Sequence, residues 1–248
     1  MANISRYVLF LAISFSFLAI PDLQSVNAQE KAKPRRAKTP SPVLAPIEDV
    51  DGLPRVLLIG DSISMGYTIP VREKLTGKAN VHRPGVNCGP TTTGLKSIDQ
   101  WLGDEKWDVI HFNWGLHDLK YVGEDGSTLQ DIIKPGSRPQ ISIEDYEKNL
   151  RQLVERLKQT GAHLIWRNTT PVPAGSNGRK AEDAERYNAV ATKVMKENSI
   201  QTHDMYSFVK PKMQDLMLPN GNVHFTAAGS DALADEVVNV ILAALKTK

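Results

Sequence analysis

Two side chains far apart in the chain, Ser62 and His224, have the types needed for nucleophilic acyl chemistry. A serine hydroxyl is a weak nucleophile until a base takes its proton and donors hold the oxyanion that forms. Ser62 follows Arg55–Gly60, a short apolar run ending in glycine, and precedes a segment with helical character. That context predicts a strand-to-helix turn with the hydroxyl projecting from the sheet edge, backed by the free N–H groups of a helix N-terminus. Gly60-Asp61-Ser62 is also what a helix cap looks like, because Asp and Ser both cap well. The G-x-S-x-G elbow is absent, since Ser64 stands at its second glycine. The six histidines show no H-E-x-x-H or related ligand spacing, so no metal site is expected. Cys88, the only cysteine, can form no internal disulfide and reads as a small, partly buried residue.

The elements that would position these residues alternate. Strands are expected at residues 55–60, 79–82, 107–113, 163–168 and 200–203. Helices are expected from Ser62 to about Leu75, through Trp101, from Ser142, over Ala181–Asn198, and after Thr226. Ser142 with Asp145 resembles a capping box, and Ile143, Tyr146, Leu150, Leu153, Val154 and Leu157 share one helical face. Residues 120–140 read as a polar surface loop near the active face. Strands alternating with helices imply an α/β fold, a parallel sheet covered on both faces. Ligands then sit beyond the carboxyl ends of the strands. The unusual polar residues fall there: Asp61-Ser62, Asn87–Gly89, Gly115–Asp118, Thr169-Thr170 and, before the last helix, His224.

Four blocks in order carry a family resemblance. Ile59-Gly60-Asp61-Ser62, Asn87-Cys88-Gly89, Gly115-Leu116-His117-Asp118 and Val223-His224-Phe225-Thr226 with Gly229 resemble the blocks of SGNH (GDSL) hydrolases, across Val56 to Leu245. The resemblance implies a three-layer α/β/α, flavodoxin-like domain with a five-stranded parallel sheet, and ester hydrolysis without a metal or organic cofactor. It assigns Ser62 as nucleophile, His224 as base, and the amides of Ser62 and Gly89 as oxyanion donors.

Two departures stand out. His117 replaces the asparagine that donates to the oxyanion in the family; a histidine can donate from either ring nitrogen, more strongly when protonated. Gly221 replaces the aspartate three residues before the histidine. Three explanations compete: Asn222, Asn220 or a carbonyl orients His224; another acid such as Asp204 supplies charge; or the protein is weakened or inactive. The leading expectation is a Ser–His dyad with an orienting asparagine. Asp61, Trp114, Asp118 and Thr169 are candidates to border substrate, with Asp61 read mainly as a cap and Asp118 mainly as a loop anchor.

The N-terminus adds an address. Arg6, an apolar stretch from Tyr7 to Ile20 and Val26-Asn27-Ala28 have the layout of a cleaved signal peptide over residues 1–28. The apolar run falls short of the roughly 20 residues of a spanning helix, so no stable membrane insertion is expected after cleavage. Residues 29–52, rich in Pro, Lys and Arg, read as a linker, and residues 53–248 as one domain. A net charge of +2 gives no reason to expect nucleic acid as a partner. The expected setting is secreted or periplasmic, and the expected partner a small-molecule or polysaccharide ester, with an acetylated sugar ahead of a lipid ester or thioester. A fold-retaining glycan-binding protein is the rival. Nothing in the sequence speaks to oligomeric state.

Overall fold

A computed structural model describes residues 41–246. Five strands form a parallel sheet: β1 (Arg55–Ile59), β2 (Asn80–His82), β3 (Val109–Phe112), β6 (His163–Arg167) and β7 (Gln201–His203), in the order β2-β1-β3-β6-β7. The central strands are buried along nearly their whole length, which is why they read as continuous apolar runs rather than alternating ones. Helices α1 (Ser62–Lys74) and α7 (Ala227–Lys246) pack together, while α2 (Thr91–Leu102), α3 (Ile143–Lys158) and α4 (Asp183–Glu197) form a second layer. This is the expected three-layer architecture.

Local chemistry explains the elements. Ser142 Oγ accepts the Asp145 amide at 3.1 Å, capping α3 as the sequence indicates, and Tyr146, Leu150, Leu153, Val154 and Leu157 are buried beneath it. Leu233, Val237, Ile241 and Ala244 do the same along α7. The sheet order places β1 between β2 and β3: the chain runs from β1 out to β2 and then back across β1 to β3, which makes the carboxyl ends of β1 and β3 the switch point where a binding crevice belongs.

Two expectations need correction, and one stretch carries elements that the sequence did not announce. Residues 120–140 are not wholly irregular: β4 (Tyr121–Val122) pairs antiparallel with β5 (Arg138–Pro139), and Tyr121 and Val122 are buried. Two short helices, α5 (Met205–Val209) and α6 (Met213–Leu216), stand between β7 and the His224 loop, a stretch too short in period to announce itself. The linker does not extend to residue 52. Asn80 bonds the Val50 amide at 2.9 Å and its carbonyl at 3.0 Å, and Asp49 meets His82 at 2.6 Å and Arg55 at 2.7 Å. Arg72 also reaches the Pro42 carbonyl at 3.2 Å. These contacts make residues 42–52 part of the domain. The signal-peptide reading and the first part of the linker lie outside the described residues.

Candidate active site

Ser62 opens α1 where β1 ends. Asp61 is the N-cap, its carboxylate accepting the Ile63 amide at 3.0 Å, and it is buried. A side chain at Gly60 would place its Cβ 2.9 Å from that of Ser64, so the turn closes only with glycine there. The turn is clamped from β2 by Arg83, a buried residue with no signal in the sequence. Its guanidinium donates to the Gly60 carbonyl at 3.2 Å, the Val86 carbonyl at 3.1 Å and the Ser64 and Thr68 hydroxyls, both at 3.1 Å. One side chain thus ties the Ser62 turn to the loop carrying Gly89.

His224 arrives from the opposite end of the chain on a loop pinned against α6. The Leu218 amide donates to the His224 carbonyl at 2.9 Å, and the Thr226 amide to the Leu216 carbonyl at 2.9 Å. His224 Nε2 lies 3.0 Å from Ser62 Oγ. Its Nδ1 lies 2.8 Å from Asn222 Oδ1, which also accepts the His224 backbone amide at 3.0 Å. That backbone N–H can only donate, so the Asn222 atom facing it is the oxygen. The ring nitrogen sharing this oxygen must therefore carry its own hydrogen, which leaves the Nε2 lone pair for the Ser62 hydroxyl.

Of the side chains offered to orient His224, only Asn222 bonds it among the described residues; Asp204 and Asn220 do not. Asp204 caps α5 through the Ser207 amide at 3.1 Å and binds Asn168 at 2.7 Å. Asn220 adopts a left-handed turn conformation, φ 60°, with no bond to His224. The position of the family's aspartate is closed: Gly221 has φ +71°, and a Cβ there would sit 2.7 Å from the Gly175 backbone. The Ser176 hydroxyl fastens this same loop by donating to the Gly221 carbonyl at 2.6 Å.

The oxyanion side is less simple than the blocks imply. The Ser62 amide, at the first position of α1, has no acceptor within the helix. The Gly89 amide instead donates to Asn87 Oδ1 at 3.0 Å, in a turn where Gly89 has φ +58°. His117 lies among Asp61, Lys120, Arg179 and His224. Burial lowers its pKa below 6.5; Asp61 opposes, and Lys120, Arg179 and His224 add to the lowering. At neutral pH it is therefore a neutral imidazole, not the stronger protonated donor.

The four candidates to border substrate are buried supports, which is the favoured reading for Asp61 as a cap and Asp118 as a loop anchor and a correction for Trp114 and Thr169. Trp114 is 1% exposed and packs against Gly94, so it offers no stacking face. Thr169, also 1% exposed, donates to the Trp114 carbonyl at 3.2 Å and is bracketed by Asn188. Asp118 holds the start of α2 through the Thr91 amide at 2.9 Å and hydroxyl at 2.5 Å. Its pKa is pushed up to about 6 by burial, against the lowering by those bonds. Asp61 is the cap already described. Cys88 is buried, with burial pushing its thiol up to about 11, as a structural residue should be.

Comparison with known proteins agrees with this architecture. A lipase/acylhydrolase from Enterococcus faecalis superposes with a TM-score of 0.62 at 20% identity, covering 76% of this chain and 95% of that one. The acetyl xylan esterase AlAXEase gives 0.61 at 16% identity, over 75% and 99% of the two chains. Axe2, an acetylxylan esterase from Geobacillus stearothermophilus, gives 0.58 at 18% identity, over 75% and 93%. Similarity at these identities speaks for the fold. No curated protein matches. The model of the GDSL-like lipase/acylhydrolase family matches residues 58–232, a span that holds the Ser62 turn, the Gly89 and His117 loops and His224. By that match the chain belongs to the GDSL-like lipase/acylhydrolase family, whose members hydrolyse esters.

Proposed function

We propose that the protein is an exported serine esterase working through a Ser62–His224 dyad oriented by Asn222. The observation that carries the reading is the relay itself, with 3.0 Å from Ser62 Oγ to His224 Nε2 and 2.8 Å from Nδ1 to Asn222 Oδ1. His224 takes the serine proton as Ser62 attacks the ester carbonyl, then gives it to the leaving alcohol; water releases the acyl group by the reverse sequence. The Ser62 amide faces the developing oxyanion, and Gly89 joins once its N–H turns from Asn87 or is shared with it. Asn222 fixes the imidazole tautomer but brings no negative charge to the imidazolium, so turnover is slower than in an acid-supported triad. Hydrolysis of phenyl acetate by wild type and Ser62→Ala tests this: the variant should lose at least about 10³-fold in kcat. Equal rates remove the assignment.

An acetylated carbohydrate is the substrate class we favour, supported by the polar Asn, Lys, Arg and His side chains around Ser62 and by the acetylxylan esterases among the structural neighbours. A second reading has one observation behind it. Pro173, Met213, Met217, Leu218 and Pro219 line a hollow of about 470 Å³ bordering Asn220 and Gly221, able to take a longer acyl chain. Comparing acetyl with octanoyl esters of one alcohol separates the two: the carbohydrate reading predicts a higher kcat/KM for acetyl. Export rests on residues 1–28 and predicts mature protein beginning near Gln29, readable by N-terminal sequencing after cell fractionation.

A further inference from the structure

Two cations beside the site have no ion-pair partner among the described residues. The loop of residues 173–180 runs between the two loops that build the site: the Tyr121 amide donates to the Gly178 carbonyl at 2.7 Å, and Ser176 bonds Gly221. Arg179, on this loop, is half-buried, and its Nε donates to the Leu116 carbonyl at 3.2 Å, next to His117. That single bond leaves both terminal amino groups of the guanidinium without a partner among the described residues. Lys120, also half-buried, stands on the same loop as His117 and acts on it together with Arg179. Neither Arg179 nor Lys120 enters an ion pair among the described residues, whereas most other arginines of the domain are paired with carboxylates or saturated by carbonyls. Asp61 is the acid whose field reaches Arg179, and its carboxylate is committed to the helix cap.

Two like charges held close and partly out of water, with no carboxylate in direct contact among the described residues, cost energy unless something answers them. A guanidinium fork with free N–H groups matches a carboxylate or a phosphate. We propose that Arg179 and Lys120 form an anion subsite next to Ser62, so that the preferred ester carries a carboxylate or phosphate near its scissile acyl group. An O-acylated sugar acid is a substrate of that kind. The inference rests on the esterase reading above and adds a charge to its substrate.

The test compares kcat/KM, each corrected for spontaneous hydrolysis, on 4-acetoxybenzoate, 4-acetoxyphenyl phosphate and the neutral 4-acetoxybenzamide. Wild type should favour at least one anionic ester over the amide by about tenfold, and about 1 M salt should shrink that ratio. The preferred anion tells a carboxylate source from a phosphate one. Arg179→Gln should bring the ratio down about tenfold. Lys120→Gln should lower it too, and among the described residues Lys120 makes no side-chain hydrogen bond whose loss would unsettle the fold. A wild type that hydrolyses the neutral ester yet shows a ratio near one overturns the subsite alone. A ratio that neither variant moves does the same. Inactivity on all three esters overturns the esterase reading first.

Discussion

At the residue scale the proposed dyad has an amide where the family places an acid, and the amide keeps the geometry. Asn222 Oδ1 is pinned by the His224 backbone amide, so the tautomer is correct without a carboxylate. What is missing is charge. Asn222→Asp puts a carboxylate oxygen in the same place and should raise kcat on a small acetyl ester by about tenfold or more, while Asn222→Ala should lower it; steady-state kinetics on purified variants reads both. Restoring the family's own aspartate should fail. Gly221→Asp must hold a left-handed φ and press its Cβ into the Gly175 backbone, so it should cost about 2 kcal/mol or more in urea unfolding with no gain in kcat. The substitution that looks like a lost acid in the sequence is therefore a rebuilt turn.

At the element scale, the strands and long helices were legible because burial on both sheet faces and helical periodicity leave strong patterns, as in Val56–Ile59 and along α3. The short helices α5 and α6 and the β4–β5 ribbon carry too few residues for a period to register. Ser62 and His224 were legible through their blocks, and Asn222 as one of several neighbours. Which neighbour mattered depended on a two-residue turn that no pattern encodes. Trp114, Asp118 and Thr169 follow strands as site residues do, yet they face inward to hold the loops. Arg83 was invisible, since a lone arginine after a short strand looks like surface. It links the end of β2 to the turn between β1 and α1, and Arg83→Met would take the guanidinium from the Val86 carbonyl and the Ser64 and Thr68 hydroxyls and leave the Gly60 carbonyl only the Cys88 amide. The expected loss is about 2–4 kcal/mol of stability in denaturant titration, with a drop in kcat as the Ser62 turn loosens.

At the scale of the whole molecule, the sheet interior carries basic groups that set a pH limit. His111 on β3 and His203 on β7 are buried, 3.1 Å apart, beside buried Arg167 on β6. Burial pushes His203 down to about 4, Arg167 adds to this and Asp204 opposes it. Burial, then His203 and Arg167, hold His111 well below its ordinary value. The unfolded chain takes protons near pH 6.5 and the folded one does not, so this contribution is whole above that pH and is lost on the way down to about pH 4. For His203 the loss reaches about 3 kcal/mol. Asp118, raised to about 6, runs the other way over an overlapping window and flattens the wild-type profile. The stability difference between wild type and His203→Gln isolates the histidine, and urea midpoints should show wild type losing ground against the variant from pH 7 to 4.

The proposed mechanism turns on one hydroxyl, Ser62, activated by an imidazole that an amide holds in register. Labelling with a fluorophosphonate, followed by peptide mass spectrometry, tests that claim most directly. The relay predicts one covalent adduct, on Ser62, that forms at least about a hundredfold more slowly in His224→Ala. An adduct on another residue, or labelling of Ser62 that is indifferent to His224, would contradict it.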